Sequence, residues 1–239
     1  MTKTVLITGG NKSIGFETAR QLARLKYRIW IGSRDAARGK VAAEQLRDEG
    51  HDVRDLSIDV VDDNSVRRAA SIVADADGRL DVLINNAGIH GAATSPSQQN
   101  INDIRRVYDT NVFGSICVTQ AFLPLLKAAR SANIVMVSSG LGSLGWVSDP
   151  AHPFHKVNFL GYNSSKTALN AVTVAFSKEL ATDSIRVNAV DPGYTATDFN
   201  NHSGYRTVEQ AAAGIVWLAG LEDGGPTGGF YFDCDLVPW

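Results

Sequence analysis

Short apolar runs alternate with longer mixed segments along almost the whole chain. "KTVLITG" (3–9), "YRIWIGS" (27–33), "VRDLSIDV" (53–60), "LDVLINNAG" (80–88), "ANIVMVSSG" (132–140), "SIRVNAVDPG" (184–193) and "GGFYFD" (228–233) read as strands. Their β-branched content suits strands buried on both faces of a parallel sheet. Helices are expected at 14–26, 35–47, 63–76, 101–130, 160–181 and 208–221. Ile14, Leu22 and Leu25 lie on one side of the first, Asp35 caps the second, and Pro124 kinks or ends part of the fourth. This rhythm predicts an α/β fold of Rossmann type, a doubly wound parallel sheet of about seven strands with helices on both faces. No repeat or linker divides it, so residues 1–239 are expected to form one domain. Ligands of such sheets bind at the carboxyl ends of the strands. Gly9, Ser33, Asp59, Asn86, Ser139 and Pro192 stand at those ends.

Composition narrows the partners. Of 239 residues, 44% are hydrophobic, enough for a substantial core, and the net charge of −2 gives no overall field that favours nucleic acid or an acidic membrane. Cys117 and Cys234 are far apart and form no metal-binding cluster, so two free thiols in a reducing, cytoplasmic setting are expected. The N-terminus enters a strand directly, without the features of a secretory leader, and no apolar run reaches the length of a membrane span.

"TGGNKSIG" (8–15) follows the first strand and opens the first helix. Such a turn points backbone N–H groups and a helix N-terminus at an anion. Read alone, its glycines also suit a plain tight turn. At the end of the second strand, a site for a bare ribose would place an acid. This chain reads Gly32-Ser33-Arg34, a hydroxyl and a planar cation suited to a 2′-phosphate. Lys12 in the neighbouring turn is expected to reach the same phosphate. Either cation alone reads equally well as a solvated surface charge, but the pair favours NADP(H).

Tyr162 and Lys166 are four residues apart on a helix and so share a face. A phenol titrates near pH 10 and shuttles protons poorly at neutrality. Lowering that by about 3 units requires about 4 kcal/mol, which a neighbouring ammonium can supply. Such a tyrosine gives a proton to a developing alkoxide or takes one from an alcohol. Ser139, at the end of the fifth strand, can hydrogen-bond a substrate carbonyl oxygen, or can simply form a turn.

TGGNKSIG, Asp59-Val60, "NNAG" (85–88), "NVFG" at Asn111, Ser139, "YNSSK" (162–166) and "PGYTATD" (192–198) occur in one order along essentially the full chain. In this it resembles the short-chain dehydrogenase/reductase family. The basic pair is similar to the NADP-preferring subgroup, and "TGGNKSIG" with the terminal "VPW" looks most like carbonyl reductases. The resemblance implies a catalytic tetrad of Asn111, Ser139, Tyr162 and Lys166, with Asn111 supporting a water-linked relay to Lys166. It implies a cofactor held by Gly9, Asn11, Lys12, Ser13, Ile14 and Gly15 and by Ser33 and Arg34. Asp59 and Val60 would lie near the adenine, Asn86 at the ribose, and Thr195 and Thr197 on the nicotinamide side. Ala87, Gly88, Pro192, Gly193, Tyr162 and Lys166 would bind the cofactor as well. The family forms dimers and tetramers, whereas some carbonyl reductases are monomers, so both states stay open.

Two departures stand out. Ser13 replaces a family glycine, and Ser139 and Tyr162 are 23 positions apart, more than in most members. The added segment carries Trp146, His152, Phe154 and His155. These read either as a wall of the substrate pocket, with Tyr194 beyond the sixth strand, or as a loop packed on itself. The two histidines lack the further ligands of a zinc site, and no metal is expected. "FNNHSGYRT" (199–207) makes a short lid, which fits an open site and a broad carbonyl range. The expected activity is NADPH-dependent reduction of ketones or aldehydes, reversible as alcohol oxidation, with small molecules as partners. The alternative is a catalytically silent NADP-sensing protein on the same fold.

Overall fold

The structure, a computed structural model, describes residues 2–239. Its eight strands are β1 (Thr4–Thr8), β2 (Arg28–Ser33), β3 (Val53–Ser57), β4 (Val82–Asn85), β5 (Ala132–Val137), β6 (Ile185–Val190), β7 (Phe230–Phe232) and β8 (Asp235–Leu236). They form one sheet in the order β3-β2-β1-β4-β5-β6-β7-β8, parallel except for the β7–β8 pair. Strand order reverses between β1 and β4, which opens a crevice at their carboxyl ends.

β1 shows how the sequence makes both cores. Side chains alternate along a strand. Leu6 therefore enters one apolar layer, with Phe122, Leu169 and Phe176, while Val5 and Ile7 enter the other, with Leu22, Leu46 and Ile215. The first layer is covered by α3 (Asp63–Asp77), α5 (Gly114–Lys127) and α7 (Leu160–Glu179). The second is covered by α1 (Ser13–Arg24), α2 (Ala36–Asp48) and α8 (Val208–Ala219). α4 (Ile101–Tyr108) packs on α7, and α6 (Leu144–Ser148) is a single short turn in the added segment.

Two expectations need correction. α1 stops at Arg24, so Leu25 lies past it and is exposed rather than on its buried side. The 101–130 helix is interrupted, but not at Pro124. α5 runs through Pro124 to Lys127, and the break is a π-helical turn at Asp109–Phe113 that carries Asn111. Near a helix end, the hydrogen bond that proline removes is one of few, so the helix tolerates it. The sheet also has an eighth strand. Asp233 and Cys234 both take left-handed backbone (φ 48 and 71) and fold β8 back on β7 as a two-residue hairpin. The chain then returns towards the crevice. Ser143 donates its hydroxyl to Pro238 O at 2.7 Å, and Gly145 N donates to Trp239 O at 2.9 Å.

Asp35 caps α2 as expected, its carboxylate accepting from Arg38 N at 3.1 Å. Ser13 takes a positive φ of 51 at the head of α1, and this is the physical content of the family glycine at that place. A side chain there carries about 1–2 kcal/mol of left-handed strain that glycine would not.

Candidate active site

The crevice begins with a knot between β1 and β4. Thr8 Oγ1 accepts from Asn86 N and Ala87 N, both at 3.0 Å, and donates to Ile84 O at 3.3 Å. Asn86 Nδ2 donates back to Thr8 O at 2.9 Å and Gly9 O at 3.1 Å. Gly15 presses on this knot, since a Cβ there would lie 2.5 Å from Asn86 Nδ2 and 2.6 Å from Gly9 O. The turn from Gly9 through Asn11 and Ser13 is thereby closed against its neighbours, with Gly9 itself at φ 62. Lys12 is the N-cap of α1 and makes no side-chain cap, which leaves the first-turn N–H groups around Ile14 without one.

At the end of β2, Ser33 is buried and donates its hydroxyl to Asp35 O at 2.8 Å. Arg34 is exposed and makes no hydrogen bond or ion pair among the described residues. Asp35 is occupied by its cap and by Arg38, 3.2 Å away. Lys12 departs from its expected direction. Its ammonium pairs with Asp198 at 3.2 Å, and Asp198 also meets His202 at 3.1 Å, so the lysine straps the glycine-rich turn to the segment after β6. Both ends of this pair are more than half exposed, and such pairs hold weakly. Arg38 joins Lys12, Asn11, Phe16 and Val41 in lining a shallow depression beside the turn, a second cation that the sequence alone does not single out. Asp59 closes its own turn, Oδ1 accepting from Val61 N at 3.2 Å, and Val60 packs over Gly114.

Past β5, Ser139, Tyr162 and Lys166 converge. Gly142 makes this possible, because the turn after β5 touches the backbone of α7 there. A Cβ on Gly142 would sit 2.7 Å from Lys166 C. Thr167 and Asn170 tie the same turn down by donating to Gly142 O at 3.0 and 3.2 Å. Tyr162 and Lys166 are both buried in the first turns of α7. Gln99 holds that helix start, Oε1 accepting from Gly161 N at 2.9 Å. The Ser139 hydroxyl hydrogen-bonds the Tyr162 phenol, and the Lys166 ammonium lies 5.7 Å from the Tyr162 ring centre.

Electrostatics reverse the expected direction for the phenol. Burial is the largest influence and pushes Tyr162 up, opposed by the Ser139 hydrogen bond. The same burial lowers Lys166 to about 8, while Asp191 pulls it back up. Lys166 makes no direct hydrogen bond to the phenolic oxygen. Its ammonium donates to Val137 O at 2.8 Å. Desolvation therefore dominates around the phenol and disfavours the phenolate.

Asn111 does not touch Lys166 directly. Its Oδ1 accepts from Ile89 N at 2.8 Å, and its Nδ2 donates to Ile89 O and Ser165 Oγ, both at 3.0 Å. Asn111 and Lys166 approach each other around Gly88, where a Cβ would lie 3.4 Å from Asn111 Oδ1 and 3.6 Å from Lys166 Nζ. On the other side, Thr195 donates to Pro192 O or Gly193 O at 3.2 and 3.1 Å. Thr197 caps the turn at Asp198–Asn200.

The added segment packs on itself and against the turn after β5. Trp146 stacks on His152 at 4.8 Å, and Phe154 meets both rings. Phe154 and Trp146 also close over Gly140, beside Ser139, where a Cβ would meet them at 2.3 and 3.0 Å. His152 Nδ1 accepts from Phe154 N at 3.2 Å, so that nitrogen serves the loop. His155 is exposed and bonds Val147 O, and Tyr194 is exposed and bonds Ser203, so neither packs among these rings.

Sequence reasoning missed the residues that only the fold assembles. Asp191 is buried beneath the site, its Oδ1 accepting from Gly193 N at 2.9 Å, and it also bonds the Gly140 amide. It thus joins the turn after β5 to the turn after β6. Burial raises its pKa. His90, just past "NNAG", stacks on Tyr162 at 4.9 Å, with Phe159 and Phe199 around it. No spacing marks these positions. Phe159 and Phe199 were visible only as aromatics within the two loops.

This arrangement has known counterparts. Residues 3–206 match the family model described as short chain dehydrogenase. The chain belongs to the short-chain dehydrogenase family. Among the family's members, it is 36% identical to the short-chain dehydrogenase anuI of Penicillium roqueforti, over 90% of this chain and 87% of the relative. It is 30% identical to a (+)-neomenthol dehydrogenase of Capsicum annuum, over 97% and 96%. A carbonyl reductase from chicken fatty liver, solved with NADPH bound, superposes with a TM-score of 0.88 at 27% identity, over 100% of this chain and 99% of that one. Membership makes the chain an oxidoreductase of a family that uses nicotinamide cofactors. Among the described residues, no helix is long and apolar enough to cross a membrane.

Proposed function

We propose that this short-chain dehydrogenase reduces ketone and aldehyde carbonyls with NADPH. The observation that carries the reading is the meeting of Ser139, a buried Tyr162 and a buried Lys166 at the carboxyl end of the sheet. A cofactor-sensing protein without chemistry has no use for that costly burial. The residues fit the cofactor. The turn at Gly9–Gly15 is closed to side chains yet leaves the N-terminus of α1 uncapped, which suits a pyrophosphate. Arg34 is unpaired at the end of β2, and the nearby carboxylate of Asp35 is committed to its helix. A guanidinium with no partner suits a 2′-phosphate, and no free acid stands there for a bare ribose. The weak strap from Lys12 to Asp198 can be exchanged for the same phosphate.

When bound, the nicotinamide supplies a hydride to the carbonyl carbon. Ser139 donates to the carbonyl oxygen and fixes its position. Tyr162 releases its proton to that oxygen as negative charge develops there. Lys166 and Asn111, gathered at Gly88, lead the replacement proton inward through water. Alcohol oxidation uses the same groups in reverse. The carbonyl reductase and neomenthol dehydrogenase relatives support this direction and substrate class by analogy.

Arg34→Asp tests the cofactor assignment. One or two lost charge-assisted hydrogen bonds predict a KM for NADPH about 10- to 100-fold higher, with NADH changed less than about threefold. Steady-state kinetics with both cofactors check this, and an equal loss for both would remove Arg34 from the 2′-phosphate.

A further inference from the structure

Building on the carbonyl-reduction reading, we propose that His90 makes this site select ring ketones that carry a hydrogen-bond donor, a hydroxyl or an N–H, close to the carbonyl. Three separate segments bring aromatic rings to the catalytic phenol. His90, in the loop after β4, lies nearly parallel to Tyr162, with centres 4.9 Å apart and planes at 22°. Phe159, just before α7, meets the imidazole edge-on at 4.6 Å. Phe199, after β6, meets His90 at 5.7 Å and Tyr162 at 5.8 Å. Walls of this kind suit a flat or alicyclic carbon body.

Carbon walls alone leave a ring free to turn, and His90 adds a polar atom. Its Nδ1 lies 3.3 Å from Gly91 O. A carbonyl oxygen can only accept, so Nδ1 carries the proton in the neutral ring and Nε2 is left as an acceptor. No described residue bonds Nε2. Among the described residues, the buried side-chain nitrogen and oxygen atoms without partners are Asn85 Oδ1, Asn163 Oδ1 and Arg206 Nε, so Nε2 is open to solvent. The two imidazoles of the added segment are engaged differently. His152 Nδ1 serves its own loop, and His155 is exposed and bonded to Val147 O. A substrate whose carbonyl meets the Tyr162 hydroxyl therefore has its ring beside one unpaired acceptor, and a donor placed there fixes its orientation.

The test compares α-tetralone with its monohydroxy isomers, using the intact chain and NADPH. At least one isomer should be preferred about tenfold in kcat/KM, mainly through KM, the usual size of one neutral hydrogen bond. His90→Phe keeps a ring on Tyr162 but has no acceptor, and should bring that ratio to about one. His90→Leu should do the same, and it replaces the Phe variant if thermal melting shows that variant unfolded. The inference is overturned if the wild type reduces the ketones without preferring any hydroxy isomer, or if a folded variant keeps the preference. If no ketone is reduced with either NADPH or NADH, the carbonyl-reduction reading itself fails, and the inference with it.

Discussion

Replacing Tyr162 with phenylalanine is expected to lower turnover about a thousandfold while cofactor binding stays within about threefold. A positioned general acid contributes about 10²- to 10⁴-fold, and this one has no visible substitute. The substitution removes one oxygen and keeps the ring on which His90 and Phe199 pack. Its environment argues for a proton donor. Tyr162 meets the substrate protonated, as a phenol does at neutral pH, and burial, which raises its pKa, holds the proton until negative charge develops on the carbonyl oxygen. Lys166 has fallen to about 8 and bonds Val137 O, so it does not replace the phenol as donor to the substrate. Single-turnover rates and cofactor titration by fluorescence measure the two halves separately. A variant with a near-normal rate would refute the acid role, and one that no longer bound cofactor would show a structural role instead.

Gly142→Ala should be nearly as damaging without touching a reacting group. The added carbon would lie 2.7 Å from Lys166 C and 2.8 Å from Lys166 Cβ, and a helix backbone cannot yield. The turn must retreat, loosening the bonds from Thr167 and Asn170 and carrying Ser139 away from Tyr162. Overpacking of this kind costs about 1–3 kcal/mol, a melting temperature lower by several degrees in a chain of this size. A displacement of about 1 Å at a catalytic group costs about a hundredfold in rate. We expect kcat to fall by about that factor. A kcat within threefold of wild type would mean that the turn does not set the Ser139–Tyr162 geometry.

The sheet was legible because strands buried on both faces must be short, apolar and separated by amphipathic helices. Position along the chain then placed Gly9, Ser33, Ser139 and Pro192 at strand ends. β8 was hidden because its turn is Asp233-Cys234, without the Asn-Gly signature of a two-residue hairpin. The π-turn at Asn111 was hidden because proline is the local helix breaker that a sequence displays, and the true interruption serves side-chain bonds to Ile89 and Ser165. Lys12 and Arg34 were both found as cations, but which of them is paired depends on Asp198, 186 residues away from Lys12 in sequence. The direction of the Tyr162 shift was misjudged because spacing shows a neighbouring ammonium but not the depth of burial. His90 and Asp191 became visible only when β4, β5, β6 and α7 met.

The central claim is best tested by wild-type kcat/KM for reduction of a panel of activated ketones, measured with NADPH and with NADH under identical conditions. An unpaired Arg34 beside Ser33, with Asp35 committed to α2, predicts turnover that is at least about tenfold more efficient with NADPH. Turnover with NADH alone would contradict the cofactor assignment, and no turnover with either would contradict carbonyl reduction.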